Sequence, residues 1–163
     1  GMQPLVGYNY GAGSLHRVRE AIWTSGKAML GIAFGFFVVI MLIPGLIMRA
    51  FNPEPEFVEA GAGVLRIVNF CLPLVALQMC GASVFQAVGK AWPAFVLSLA
   101  RQVLFLVPLL LILPGHLQLF GVWLSFPIAD ILATLVTVAW FRRLWGELAD
   151  APPTPELVAE EAA

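Results

Sequence analysis

Long stretches without a charged residue recur along this chain, and they leave it few ways to fold. Between Lys27 and Arg49 lie 21 uncharged residues, and between Arg66 and Lys90 lie 23. Two further stretches, 91–115 and 120–141, hold one charge each, Arg101 and Asp130. About 20 apolar residues in a helix cross the hydrocarbon core of a bilayer, so all four stretches are long enough to span. They are continuous apolar blocks, whereas a membrane strand shows alternating polarity over about ten residues, so helices are indicated rather than a barrel. A water-soluble alternative fails on composition. The chain is 60% hydrophobic and 12% charged, against about a quarter charged in ordinary soluble domains.

The expected fold is therefore an all-α integral membrane bundle of four complete transmembrane helices, preceded by the end of another. The boundaries that follow are a truncated helix end at 1–12, a loop at 13–27 and spans at 28–48, 67–89, 91–114 and 120–141. The connections are an external loop with a helix start at 49–66, a short external loop at 115–119, and a tail at 142–163. The tail is rich in Glu, Pro and Ala without apolar periodicity and reads as a largely disordered solvated segment. The first residues lack the basic-then-apolar pattern of a secretory signal, and the chain reads as beginning partway through a larger protein.

Basic residues set the expected orientation. Arg17, Arg19, Lys27, Lys90, Arg142 and Arg143 fall on one side, while Arg49 and Arg66 on the other are diluted by Glu54, Glu56 and Glu59. The positive-inside rule makes the first side cytoplasmic, together with the C-terminus. Because the basic residues serve as topology signals, the net charge of -1 marks no nucleic-acid surface, and nucleic acid is excluded as a partner. The lipid bilayer is the partner that the composition demands.

Charges within a span are expensive, about 2.5 to 3.5 kcal/mol each on insertion scales, and are functional candidates for that reason. Arg101 lies nine residues after Trp92, and Asp130 eleven before Phe141. At 1.5 Å per residue they sit ~14 and ~16 Å from the cytoplasmic ends of neighbouring antiparallel helices, so an intramembrane charge pair locking the last two helices is expected, with direct ion coupling by these residues as the alternative. Polar residues at helical spacing accompany them: Ser98 and Gln102 beside Arg101, Thr134 and Thr137 after Asp130, and Gln78, Ala82 and Gln86 on the second span. These stripes should face the bundle interior, as hydrogen-bonding glue or as the lining of a water-filled cavity.

Other residues carry less. Cys71 and Cys80 are nine positions apart, on opposite faces of one helix, and read as small apolar residues; neither they nor the lone His16 and His116 have metal-ligand spacing. Prolines 44, 73, 93, 108 and 127 lie in or near the spans, where each removes a backbone donor and can kink a helix. Gly31 and Gly35 form a small-xxx-small face suited to close helix packing. The glycines of 7–13 lack the Gly-Lys-Ser/Thr of a phosphate loop and read as a helix end.

Several separated motifs resemble the C-terminal half of the MATE (multidrug and toxic compound extrusion) family, in that family's order. They are Gln3-Pro4 with Gly7-Tyr8-Asn9-Tyr10-Gly11-Ala12, then Phe85-Gln86-Ala87-Val88-Gly89-Lys90, then Arg101-Gln102, then Pro127-Ile128-Ala129-Asp130. The resemblance reaches about Leu144. It implies the last four helices of a twelve-helix, two-lobe transporter that exports small organic or cationic substrates against entering sodium ions or protons, with no other cofactor. It further implies a missing N-terminal lobe as partner and a multi-pass place in the plasma (inner) membrane. Some family members carry a coupling carboxylate in the tenth helix; the stretch 67–89 is uncharged. Rival readings are a truncated membrane protein with a structural role, and a lipid-linked oligosaccharide flippase, for which Arg101 alone offers phosphate a cation. An enzyme is disfavoured, since the spans hold no His-Glu-x-x-His, no Ser/His pair and a single carboxylate.

Overall fold

The computed structural model describes residues 1–149, and these are helical apart from short breaks. The helices are α1 (Met2–Gly11), α2 (Leu15–Leu42), α3 (Pro44–Phe51), α4 (Pro55–Val68), α5 (Leu72–Ala87), α6 (Ala91–Leu99) and α7 (Val107–Ala149), with a π-helical segment, Ala100–Leu106, between the last two. The tail from 150 onward, expected to be disordered, lies outside the described residues.

Proline explains most of the breaks. The ring fixes φ and lacks a donor, so it fits the first turn of a helix, where that donor has no intrahelical partner. Pro44, Pro55 and Pro73 stand in the first turns of α3, α4 and α5. The expected spans are accordingly segmented. The first is not a helix over 28–48: α2 begins at Leu15, so most of the expected loop at 13–27 is helical, and it stops at Leu42, where Pro44 starts α3. Arg66 Nε donates to the Met41 carbonyl at 3.3 Å, supplying a donor to one of the carbonyls left open at the end of α2. The loop expected at 49–66 is mostly α3 and α4. The second span is longer than 67–89 and bent by 42° between α4 and α5, and its outer segment carries Glu56, Glu59 and Arg66. The third span keeps its start at residue 91 but changes helix type at Ala100.

From Ala91 to Leu148 the chain is helical for 58 residues, which as one rod would measure about 87 Å. It cannot be one rod. Arg101 and Asp130, about 44 Å apart along a straight helix, are hydrogen-bonded to each other. The reversal lies at Gln118, whose φ of 51° and ψ of -135° match the first central position of a type II′ turn, which glycine ordinarily fills. Helical turns therefore continue through the expected loop at 115–119 with a single break, giving α7 two antiparallel arms, 107–117 and 119–149. The second arm overruns the expected end of the last span at 141.

The core lies toward the basic end, where Val6, Val18, Ile22, Val84, Phe85, Leu97, Leu144 and Leu148 pack α1, α2, α5, α6 and α7 together. Elsewhere Phe34, Phe36, Leu42, Leu104 and Leu111 are exposed, as suits surfaces meeting lipid or other helices. Among the described residues nothing packs closely on Gly31 or Gly35: a Cβ at either position would meet nothing within 4 Å.

Gly121 fixes the tightness of the α7 reversal, since a Cβ there would come within 2.5 Å of the Leu113 carbonyl oxygen. Backbone cannot move aside as a side chain can. Gly121→Val should thus destabilise the folded protein by about 1 to 3 kcal/mol, while Gln118→Gly should leave it unchanged or steadier by a few tenths to about 1 kcal/mol. Thermal unfolding of the detergent-solubilised protein, followed by gel filtration, measures both.

Candidate functional site

Among the described residues the most buried charge is Asp130, on the second arm of α7, 1% exposed. Arg101 Nε, from the π-helical segment, donates to its Oδ1. Gln78 of α5 reaches the same turn, its Nε2 donating to the Asp130 carbonyl at 3.0 Å and to Thr134 Oγ1 at 2.9 Å. Thr134 Oγ1 in turn donates to the Asp130 carbonyl at 2.6 Å. A carboxylate, a guanidinium, an amide and a hydroxyl thus join three helical segments at one level. In a medium without water such groups must satisfy one another.

Arg101 is held differently from its partner. Its side chain is 37% exposed and that of Asp130 only 2%, and the guanidinium forms part of the wall of a groove of about 290 Å³ between α5 and α6 with the π-helical segment. Gln78 and Gln86 line one wall, and Ser98, Arg101 and Gln102 the other. Gln86 Oε1 accepts from Gln3 Nε2 of α1 at 2.7 Å. Ser98 Oγ donates to the Ala94 carbonyl at 2.8 Å, which leaves its lone pairs toward the groove.

The expected stripes are therefore brought together in part. Gln78, Gln86, Gln102 and Arg101 share the groove, but only Gln78 is buried; Gln86 and Gln102 are exposed on its rim. Asp130 and Thr134 lie behind the wall. Thr137 does not line the groove: it is buried, donates to the Ala133 carbonyl at 2.9 Å, and presses its methyl where a Cβ on Gly81 would sit, 2.6 Å away. Thr137 is a packing residue between α5 and α7.

The motif in α1 divides likewise. Gln3 joins the groove through Gln86. Gly7 lets α1 approach α5, since a Cβ there would lie 3.2 Å from the Ala87 carbonyl oxygen. Asn9 is buried with Nδ2 on the Leu5 carbonyl at 2.8 Å. Pro4, Tyr8, Tyr10 and Gly11 are exposed, and the turn that follows the helix passes through Gly13, whose φ is 74°. Sequence reasoning missed Ser83, which lines the groove one position beyond Ala82 and so falls outside a strict four-residue stripe. It also missed the π-helical turns around Arg101. Pro108, just beyond them, was the available signal, because it cannot donate to the carbonyls preceding it.

The chain matches the MatE family model over residues 1–112. Among solved structures, the MATE multidrug transporter DinF-BH in complex with rhodamine 6G superposes with a TM-score of 0.82 at 40% identity, over 87% of this chain and 32% of that one. An inward-facing conformation of a multidrug resistance MATE family transporter of the MOP superfamily gives 0.82 at 21% identity, over 92% and 35%. The MATE transporter ClbM in complex with Rb+ gives 0.74 at 24%, over 99% and 36%. The latter two bear on the fold alone. The chain spans about a third of the length of these proteins. No curated protein matches it.

The unequal exposure of the ion pair gives an ordering of variants. Arg101→Met strands a buried carboxylate and should cost about 3 to 5 kcal/mol, whereas replacing both partners with neutral groups costs less. Asp130→Asn, which leaves Arg101 open to the groove, should fall below Arg101→Met. The fraction of monodisperse protein recovered from membranes, compared for the two single variants and the double, reads the order. Effects that simply add would show that the residues do not act as a pair.

Proposed function

Since this chain belongs to the MatE family, we propose that it forms one wall of the substrate cavity of a multidrug exporter, with the groove between α5 and α6 facing that cavity. The observation that carries this reading is the exposure of Gln86, Gln102 and Arg101 at a depth where polar side chains avoid lipid. Such a rim calls for water or a second lobe opposite it. The solved neighbours are MATE transporters of which this chain spans about a third, and a cavity between two lobes needs both of them.

Groove chemistry favours an organic substrate of low charge. Arg101 is offset by Asp130, so the groove presents amide and hydroxyl groups without a spare cation. That separates it from a flippase for phosphate-linked sugars, which would need several. The 40%-identical neighbour binds a rhodamine dye, and a large aromatic cation of this kind suits amide oxygens beside apolar walls. We assign the coupling, by sodium ions or protons, to residues outside this ion pair, because the Asp130 carboxylate is committed to Arg101. In the plasma membrane the basic end, with Arg17, Lys27 and Arg142, lies in the cytoplasm.

Two experiments bear on this. In the complete transporter, Gln86→Leu with Gln102→Leu should weaken binding of the rhodamine dye about fivefold or more, since each lost hydrogen bond is worth about 1 kcal/mol. Unchanged binding by a well-folded variant would remove the groove from the cavity. For orientation, single cysteines at positions 16 and 55, in a background without Cys71 and Cys80, should differ in intact cells. An impermeant thiol reagent should label position 55 and spare position 16; the reverse pattern would invert the topology.

A further inference from the structure

A second groove, of about 450 Å³, opens at the basic end of the molecule between α2, α5 and the second arm of α7. Its residues are sorted by depth. Lys27 and Arg142 stand beside Trp23 and Trp145, while Leu30 and Leu77 line its apolar length. Lys27 Nζ lies 5.0 Å from the Trp23 ring centre, and the Arg19 guanidinium 5.1 Å from that of Trp145. Tryptophan flanked by cations marks the level of lipid headgroups, and Leu30, three residues beyond Lys27, lies about 4.5 Å further along α2.

We propose that this groove binds one anionic glycerophospholipid, its phosphate between Lys27 and Arg142 and an acyl chain along Leu30 and Leu77. Charge complementarity carries the proposal. Lys27 and Arg142 both border one cleft, and among the described residues the carboxylates in ion pairs are held elsewhere, Glu147 by Lys90 and Asp130 by Arg101. An apolar floor below the cations asks for a ligand with a hydrocarbon chain as well as a negative head. A zwitterionic lipid supplies the chain without the net charge; glycerol phosphate supplies the charge without the chain. The acidic tail at 150–163 offers carboxylates, but its longest apolar run, Leu157-Val158-Ala159, is three residues, shorter than an acyl chain. The inference rests on the chain being embedded in a bilayer and not on the transport reading.

The test is native mass spectrometry of the intact transporter in detergent, with phosphatidylglycerol and phosphatidylcholine of the same acyl composition. Phosphatidylglycerol should be retained several-fold more strongly. Lys27→Gln with Arg142→Gln should weaken its retention about tenfold or more, at about 1 kcal/mol per basic residue, and leave phosphatidylcholine unchanged. Arg17→Gln with Arg143→Gln, on the same end but outside the groove, should have little effect. Ala76→Phe, which fills the floor with both cations in place, should also reduce phosphatidylglycerol retention and keeps the test decisive if the charge variant misfolds. Equal retention of the two lipids, equal loss in both charge variants, or displacement of phosphatidylglycerol by glycerol phosphate at the same concentration would each overturn the proposal. So would a marked gain in retention on changing Glu156, Glu160 and Glu161 to Gln, which would make the tail the occupant.

Discussion

The hydrogen-bonded link from Gln78 through Asp130 to Arg101 is the constraint around which the membrane-embedded part of the chain is arranged. A carboxylate at that depth has no water to turn to, and its partners must come from other helices. Arg101 takes the carboxylate, and Gln78 takes the backbone carbonyl of the same residue. Arg101 ties the second arm of α7 to the helix that precedes it, and Gln78 ties the same turn to α5. Apolar contacts alone would bind these helices weakly, because lipid tails are as apolar as leucine and no hydrophobic term favours helix against helix there. Close approach supplies the remainder, through Gly81 under Thr137 and Gly121 against the Leu113 backbone.

Proline sets the second constraint. Each break between α2 and α5 has a proline in the first turn of the helix that follows. The breaks free backbone carbonyls that then need donors, and Arg66 meeting Met41 is one such repair. A span built this way is a stack of short rods whose joints carry polar groups. Bending can therefore concentrate at the joints and leave the packed ends undisturbed.

How much of this was legible depended on the kind of signal. The membrane class, the helical fold and the family followed from long apolar blocks and from motifs such as those at 3–12 and 85–90, which need no knowledge of contacts. Arg101 and Asp130 could be matched because depth is a count of residues. The boundaries fared worse. Charge-free length locates the bilayer core, not the helix ends, so the helical stretches at 15–27 and 55–66 were hidden behind Arg17, Lys27, Glu56 and Arg66. Residue spacing gives a face but not what lies opposite it. Thr137 and Gln78 are both polar residues on a helical stripe, yet one fills the notch over Gly81 and the other clamps a carbonyl. Only the neighbouring helix decides between them.

The π-helical segment brings these constraints together. It begins at Ala100 and ends at Leu106, with Pro108 close behind. Pro108 cannot donate to the carbonyls before it, and a helix widened by one residue per turn is one way for the chain to redistribute the bonds that remain. Widening alters the angular position of every side chain downstream. Arg101 and Gln102 are where that change begins, one bonded to Asp130 and the other on the groove rim. The ion pair thus pins the helix at the turn where its own hydrogen bonding is least regular. A helix free to shift in register there would carry the groove wall with it, and Asp130, fixed to α5 through Gln78, is what holds the wall in this position.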